Sequence, residues 1–188
     1  MQSLHFFAFQ LRNLLAGFPL AFALFSWRWE WEHDGLIWAL ALTFCAGGIT
    51  LRAWAACHCG YSRGRRKELA TTGPYAYVRN PLYLGNLSVI AGATIASELA
   101  WLLPIALAWA ILVYVAAVRH EETRLLEKYG EAFLRYREWV PAWIPDWRRF
   151  VGNASPALRA VLQQIPLLLV LVPFALKEIN PFDLWPCP

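Results

Sequence analysis

The sequence predicts an all-α, polytopic membrane protein of about five transmembrane helices with a helical cytoplasmic region between them, on three observations. Apolar residues fill 59% of the 188 positions and charged residues only 16%, a balance too apolar for a soluble domain of this size. Five apolar stretches approach the ~20 residues that cross a bilayer. Lysine and arginine gather in two of the connections and are scarce in the others.

The first stretch, Gln10 to Trp27, carries Arg12 and Asn13 near its cytoplasmic end, where an arginine can snorkel to the interface. It lacks the basic start and small-residue cleavage site of a signal peptide, so it is expected to remain as a helix. The second, Leu36 to Cys57, contains Ala46-Gly47-Gly48, a small-residue surface suited to close helix packing. Leu82 to Ser97 is short, and Pro104 falls early in Trp101 to Val118. These two form a tight hairpin turning at Ser97-Glu98. The fifth, Leu158 to Leu176, is kinked by Pro166 and Pro173, and the tail from Lys177 to Pro188 is irregular and external. The chain therefore reads as a single membrane domain, 1–188. Helices one and two occupy 1–60, a core with the hairpin 61–150, and the last helix and tail 151–188.

Orientation follows from the basic residues. Arg52, Arg63, Arg65, Arg66, Lys67 and Arg79 precede the hairpin, and eight more lie from Arg119 to Arg159, whereas Arg28 and Lys177 fall on the other side. Both large polar connections and the N-terminus are thus expected in the cytoplasm of a bacterial inner membrane. The basic loop also suits contact with anionic lipid. Trp27, Trp29 and Trp31, interleaved with Glu30, Glu32 and Asp34, form an outward-facing interfacial belt. No metal is expected: Cys57-His58-Cys59 is spaced too tightly for zinc, which takes four more widely spaced ligands.

The most chemically detailed stretch is Leu69 to Gly85, LATTGPYAYVRNPLYLG. Gly73 permits positive φ, Pro74 fixes its own, and Pro81 suits the first turn of a helix. Beyond the hairpin the sequence stays helix-compatible through His120 to Arg124. Leu125, Tyr129, Phe133, Tyr136 and Val140 continue an apolar face at helical spacing. Glu121 and Glu122 sit at the membrane boundary, where a carboxylate is either paired with arginine or functional. WVPAWIPDWRRF, from Trp139, alternates tryptophan and proline, as an interfacial anchor or as an apolar gate for a lipidic ligand. Nucleotide-binding glycine loops, nucleophile elbows and paired zinc histidines are absent.

Arg79-Asn80-Pro81-Leu82-Tyr83-Leu84-Gly85, a hydrophobic hairpin, then Glu121-Glu122 together resemble the signature of the isoprenylcysteine carboxyl methyltransferase and phospholipid methyltransferase superfamily of integral membrane enzymes. Thr72-Gly73-Pro74-Tyr75 before it, and Tyr129-Gly130-Glu131, Tyr136 and Val140-Pro141 after it, are similar to that family as well. The resemblance covers roughly Leu69 to Pro145. It implies an enzyme that transfers a methyl group from S-adenosylmethionine, releasing S-adenosylhomocysteine, to a lipophilic acceptor, in the manner of an O-methyltransferase. The bilayer and that lipophilic small molecule are its implied partners, with no nucleic acid.

Carried onto this chain, the resemblance implies a cofactor pocket lined by Leu69, Ala70, Tyr75, Asn80, Pro81, Leu82, Tyr83 and Glu121. Lys67 and Glu68 fall in the same stretch with side chains that differ from the usual ones. Glu121, Tyr83 and Arg137 are the implied catalytic residues; Arg119, Tyr136, Trp139 and Trp143 are the implied substrate contacts. Two positions depart from the pattern. Asn80 stands where histidine is usual, which excludes a titrating base there. Ala142 stands where an arginine usually follows Val-Pro, leaving Arg119 or Arg137 to replace it. An NADPH-dependent sterol-reductase-like enzyme and a non-enzymatic membrane scaffold or lipid-binding protein of the same fold are the alternatives.

Overall fold

A computed structural model describes residues 13–25, 34–59, 69–146 and 164–173. The aromatic-acidic stretch 27–33, the basic run 63–67 and the tail from Lys177 lie outside the described residues. Along the chain run α1 (Phe18–Phe25), α2 (Asp34–Cys59), a 3-10 turn (Gly73–Ala76), α3 (Pro81–Ala96), α4 (Leu102–Tyr129), α5 (Glu131–Trp139) and a 3-10 segment (Ile165–Leu171). No strand occurs among the described residues.

Helices α2 and α4 are long and apolar enough to cross a membrane, while α3 is apolar but shorter. The described residues therefore hold two candidate spans where the sequence suggests five. The last apolar stretch differs most. Where described it winds as a 3-10 segment over Ile165–Leu171, with Pro166 in its first turn, in place of the long α-helix its composition suggests. At 28 residues α4 is about 42 Å long, exceeding the ~30 Å hydrocarbon layer, so its polar C-terminal turns project beyond the apolar zone. Gly130, at φ +52, then breaks the helix. The apolar face from Leu125 to Val140 is accordingly divided between α4 and α5.

The bundle is inverted relative to a soluble protein. Leu36, Leu40, Phe44, Ile105, Trp109 and Leu112 face outward, while the centre is filled by small residues such as Ala41, Cys45, Ala93, Ala106 and Ala110. The tightest contact joins α2 to α3. A Cβ on Gly48 would lie 2.6 Å from the Gly85 carbonyl oxygen, and one on Gly92 would lie 2.7 Å from the Ala41 carbonyl oxygen. The Ser88 hydroxyl donates to the Phe44 carbonyl at 2.7 Å across this seam. Gly47 meets nothing within 4 Å, so the packing stripe is Ala41, Cys45, Gly48 and Arg52, one helical face, rather than the contiguous Ala46-Gly47-Gly48.

The hairpin turns as the sequence suggests. Ser97 caps α3, and Glu98 takes φ +62, which lets α4 begin at Leu102.

These contacts predict opposite responses from neighbouring glycines. Gly48→Ala forces backbone against backbone and is expected to cost about 1–3 kcal/mol. Gly47→Ala, in open space, is expected to gain about 0.5–1 kcal/mol from helix propensity. Apparent melting temperatures in detergent should fall for the first and hold or rise for the second; the reverse order would refute the seam.

Candidate functional site

The site is assembled where the segment between α2 and α3 folds against the end of α2. Gly73 adopts φ +62, a conformation natural to glycine, and a Cβ there would lie 2.5 Å from the His58 ring. Trp54 packs on His58 at 6.3 Å and on Tyr77 at 6.1 Å between ring centres. Tyr75 is buried by this packing, with Cys59 beside it.

A second segment, from Val140 to Asp146, is stapled onto the first. The Arg79 N–H donates to the Pro141 carbonyl at 2.9 Å, and the Asp146 N–H to the Tyr77 carbonyl at 3.0 Å. The Tyr136 hydroxyl donates to the Tyr75 carbonyl at 2.8 Å. Asn80 stands at the N-terminal boundary of α3 but makes no side-chain cap there; its Nδ2 donates instead to the Ala142 carbonyl at 3.0 Å. Burial pushes the Tyr75 and Tyr136 phenols above their ordinary range, Cys59 adding to the effect at Tyr75. Both stay protonated donors at neutral pH.

Pro81 opens α3 and brings Tyr83 round on its first turn. The Tyr83 ring packs on Tyr114 at 5.0 Å, and its hydroxyl donates to Glu121 Oε2 at 3.0 Å. The neighbouring carboxylate has another task. Glu122 lies 3.4 Å from the Arg79 Nη2 and 3.9 Å from the Arg137 Nε. Arg79 and Glu122 are both largely buried, whereas the Arg137 side chain is 54% exposed.

A cavity of about 190 Å³ lies between these elements, lined by Asn13, Arg52, Tyr75, Arg79, Asn80, Pro81, Leu82, Tyr83, Asn86 and Glu121. The structure thus brings Tyr75, Asn80, Pro81, Leu82, Tyr83 and Glu121 to one wall system. Leu69 and Ala70 are half-buried and not on that wall, and Lys67 and Glu68 lie outside the described residues. Arg119 and Trp139 are exposed, Tyr136 is tied to Tyr75, and Trp143 packs against the core. Arg137 sits on Glu122 rather than in the cavity. Arg52, Asn86, Asn13 and Arg79 are cavity residues that sequence reasoning did not assign. The available signal was an arginine and an asparagine inside otherwise apolar helices. Among the described residues no three His, Cys, Asp or Glu side chains group closely enough to share a metal ion.

Two helices long and apolar enough to cross a membrane, close packing at small residues and a polar cavity beside two stapled segments define a helical bundle of membrane type with a candidate site at its end. The chain belongs to the phospholipid methyltransferase family, whose model matches residues 36–132, within the isoprenylcysteine carboxyl methyltransferase-like superfamily of membrane methyltransferases. The matched region spans α2, α3 and α4, and so Arg52, Tyr75, Asn80 to Tyr83 and Glu121.

Among curated proteins, the chain is 38% identical over 139 residues to the nickel-cobalt-cadmium resistance protein NccN of Alcaligenes xylosoxydans xylosoxydans. This covers 71% of the chain and 62% of that protein. It is 35% identical over 152 residues to the cobalt-zinc-cadmium resistance protein CzcN of Cupriavidus metallidurans, covering 76% of the chain and 66% of that protein. The match thus spans somewhat less than two thirds of each relative's length. No solved structure matches.

The two ion pairs of Glu122 are expected to differ in weight. Glu122→Ala strands a largely buried guanidinium and should cost several kcal/mol, as broken buried pairs do. Arg137→Ala removes an exposed partner and should stay within about 1 kcal/mol. Thermal unfolding of the two variants checks this, and an Arg137 variant as unstable as the Glu122 variant would count against it.

Proposed function

We propose that the protein is an S-adenosylmethionine-dependent methyltransferase acting on a lipophilic acceptor at the membrane, with its cavity and N-terminus facing the cytoplasm of a bacterial inner membrane. The observation that carries the reading is the Tyr83–Glu121 pair, which sets a carboxylate and aromatic faces on one cavity. That donor set fits a sulfonium cofactor. Glu121 balances positive charge, either of the sulfonium or of an ammonium, and Tyr75 and Tyr83 offer aromatic faces to the adenine or the cation. At about 190 Å³ the cavity is smaller than the 300–1,000 Å³ of most small-molecule pockets, so its described walls enclose one end of such a ligand.

Held by Glu121 with Tyr75 and Tyr83, the cofactor would supply an activated methyl group to a lone pair of the acceptor and would leave as a neutral thioether. The protein's own residues position and exclude water. Tyr83 is locked by Tyr114 and Glu121, and the stapled Val140–Asp146 segment closes over Tyr77 to Asn80. Alignment of this kind supplies roughly 7 to 11 kcal/mol. Asn80 cannot take up a proton near neutral pH, which favours an acceptor that is already anionic, a carboxylate oxygen that loses no proton on methylation.

The relatives' names tie them to resistance against nickel, cobalt, zinc and cadmium. We extend that setting to this chain: esterifying an anionic lipid removes surface charge that attracts divalent cations.

Calorimetry in a detergent that preserves the fold is expected to detect S-adenosylhomocysteine binding. Glu121→Gln should weaken it at least tenfold with little change in melting temperature. Absence of binding at millimolar ligand, or binding of NADPH in its place, would sink the reading.

A further inference from the structure

The stretch from Trp139 to Ile144 sends its large apolar side chains in two directions. Val140 is buried and Trp143 packs against the core of the bundle, whereas Trp139 is 66% exposed and Ile144 is 80% exposed. No other large hydrophobic residue among those described is as exposed as Ile144. Pro141 and Pro145 fix φ on either side and so stiffen the chain that presents it.

The depth of this outward pair follows from the two helices before it. At 28 residues α4 outruns the ~30 Å hydrocarbon layer by about 12 Å, and α5, at nine residues, is about 13 Å long. Glu122 on α4 meets Arg137 on α5 across the Gly130 turn, so α5 doubles back along α4. The return cancels the overshoot. Its end meets the start of α3: the Arg79 N–H donates to the Pro141 carbonyl, and Asn80, the residue before α3, donates to the Ala142 carbonyl. Ile144 therefore leaves the protein beside the first turn of an apolar helix, at the boundary of the apolar zone.

The side chains suit that boundary. A tryptophan ring settles at headgroup level, an isoleucine among the first acyl carbons, and an arginine stem lies along apolar surface while its head reaches phosphate. Arg135 supplies the last of these, one helical turn before Trp139 on the same exposed face of α5. The outward Phe44, Ile105 and Leu112 of α2 and α4 already mark a molecule whose exposed apolar side chains meet lipid.

We propose that Trp139 and Ile144 form a foot inserted into the headgroup layer and first acyl carbons of the bilayer, and that this insertion holds the Val140–Asp146 segment closed over the cavity. The closure rests on the methyltransferase reading above, which it deepens by making the bilayer surface a regulator of cofactor retention. The staples stand on both sides of the foot, Asn80 on the Ala142 carbonyl before it and the Asp146 N–H on the Tyr77 carbonyl after it. A side chain anchored in lipid between two hydrogen bonds keeps both in place; lifted out, it leaves them to compete with water.

The test uses full-length protein in phosphatidylcholine nanodiscs, with a benzophenone amino acid in place of Ile144 or, as a control beside the Gly130 turn, in place of Glu131. On illumination, position 144 is expected to give at least about fivefold more phospholipid adduct than position 131, read by mass spectrometry. Adducts from 144 confined to the chain's own peptides or to a second copy, or equal lipid labelling from both positions, overturn the foot. For closure, Ile144→Asp is expected to weaken S-adenosylhomocysteine binding in nanodiscs roughly threefold or more, through faster dissociation, while Ile144→Leu retains it. Equal dissociation rates for Ile144→Asp and wild type overturn the coupling. Failure of wild type to bind S-adenosylhomocysteine strikes the methyltransferase reading instead, and the lipid adduct still decides the foot.

Discussion

The backbone contact between α2 and α3 is the constraint on which the rest depends. At Gly48 and Gly85 the two helices approach until no Cβ fits between them, and their side chains and carbonyls bond across the seam. In an apolar solvent there is little hydrophobic reward for bringing helices together, so close packing of small residues must supply it. The same approach fixes the register of α3 against α2. That register places Arg52 over Gly85 and beside Asn86, and the start of α3 beside the end of α2. The floor of the cavity is therefore a consequence of helix packing.

Two adjacent carboxylates divide the remaining work. Successive residues on a helix point about 100° apart, so Glu121 and Glu122 cannot serve one partner. Glu122 takes the arginines, one from the segment before α3 and one from α5, and so ties three elements together. Glu121 is left to face the cavity with Tyr83.

Much of this was legible in the sequence because it rests on local chemistry. Gly73 and Pro74 announce their turn, Pro81 its helix start, and Ser97-Glu98 the hairpin, since each is decided by one or two residues' backbone preferences. The Glu121–Tyr83 convergence was readable only through resemblance, the two being 38 positions apart. What sequence could not give is which face of a uniformly apolar helix turns inward. α2 is apolar all round, so periodicity did not separate Gly48 from Gly47, nor identify Arg52 as a cavity residue instead of a basic residue at the membrane boundary. The 3-10 winding of Ile165–Leu171 was hidden for a similar reason: composition marks an apolar span without saying whether it winds as an α-helix or a 3-10 helix.

The two departures from the family pattern prove to be a single feature. Asn80 and Ala142 touch: the amide of one donates to the backbone carbonyl of the other. The bond uses no side-chain atom of residue 142, so the staple survives whatever stands there. An asparagine at position 80 holds it without titrating, so closure of this segment does not vary with pH near neutrality as an imidazole contact would.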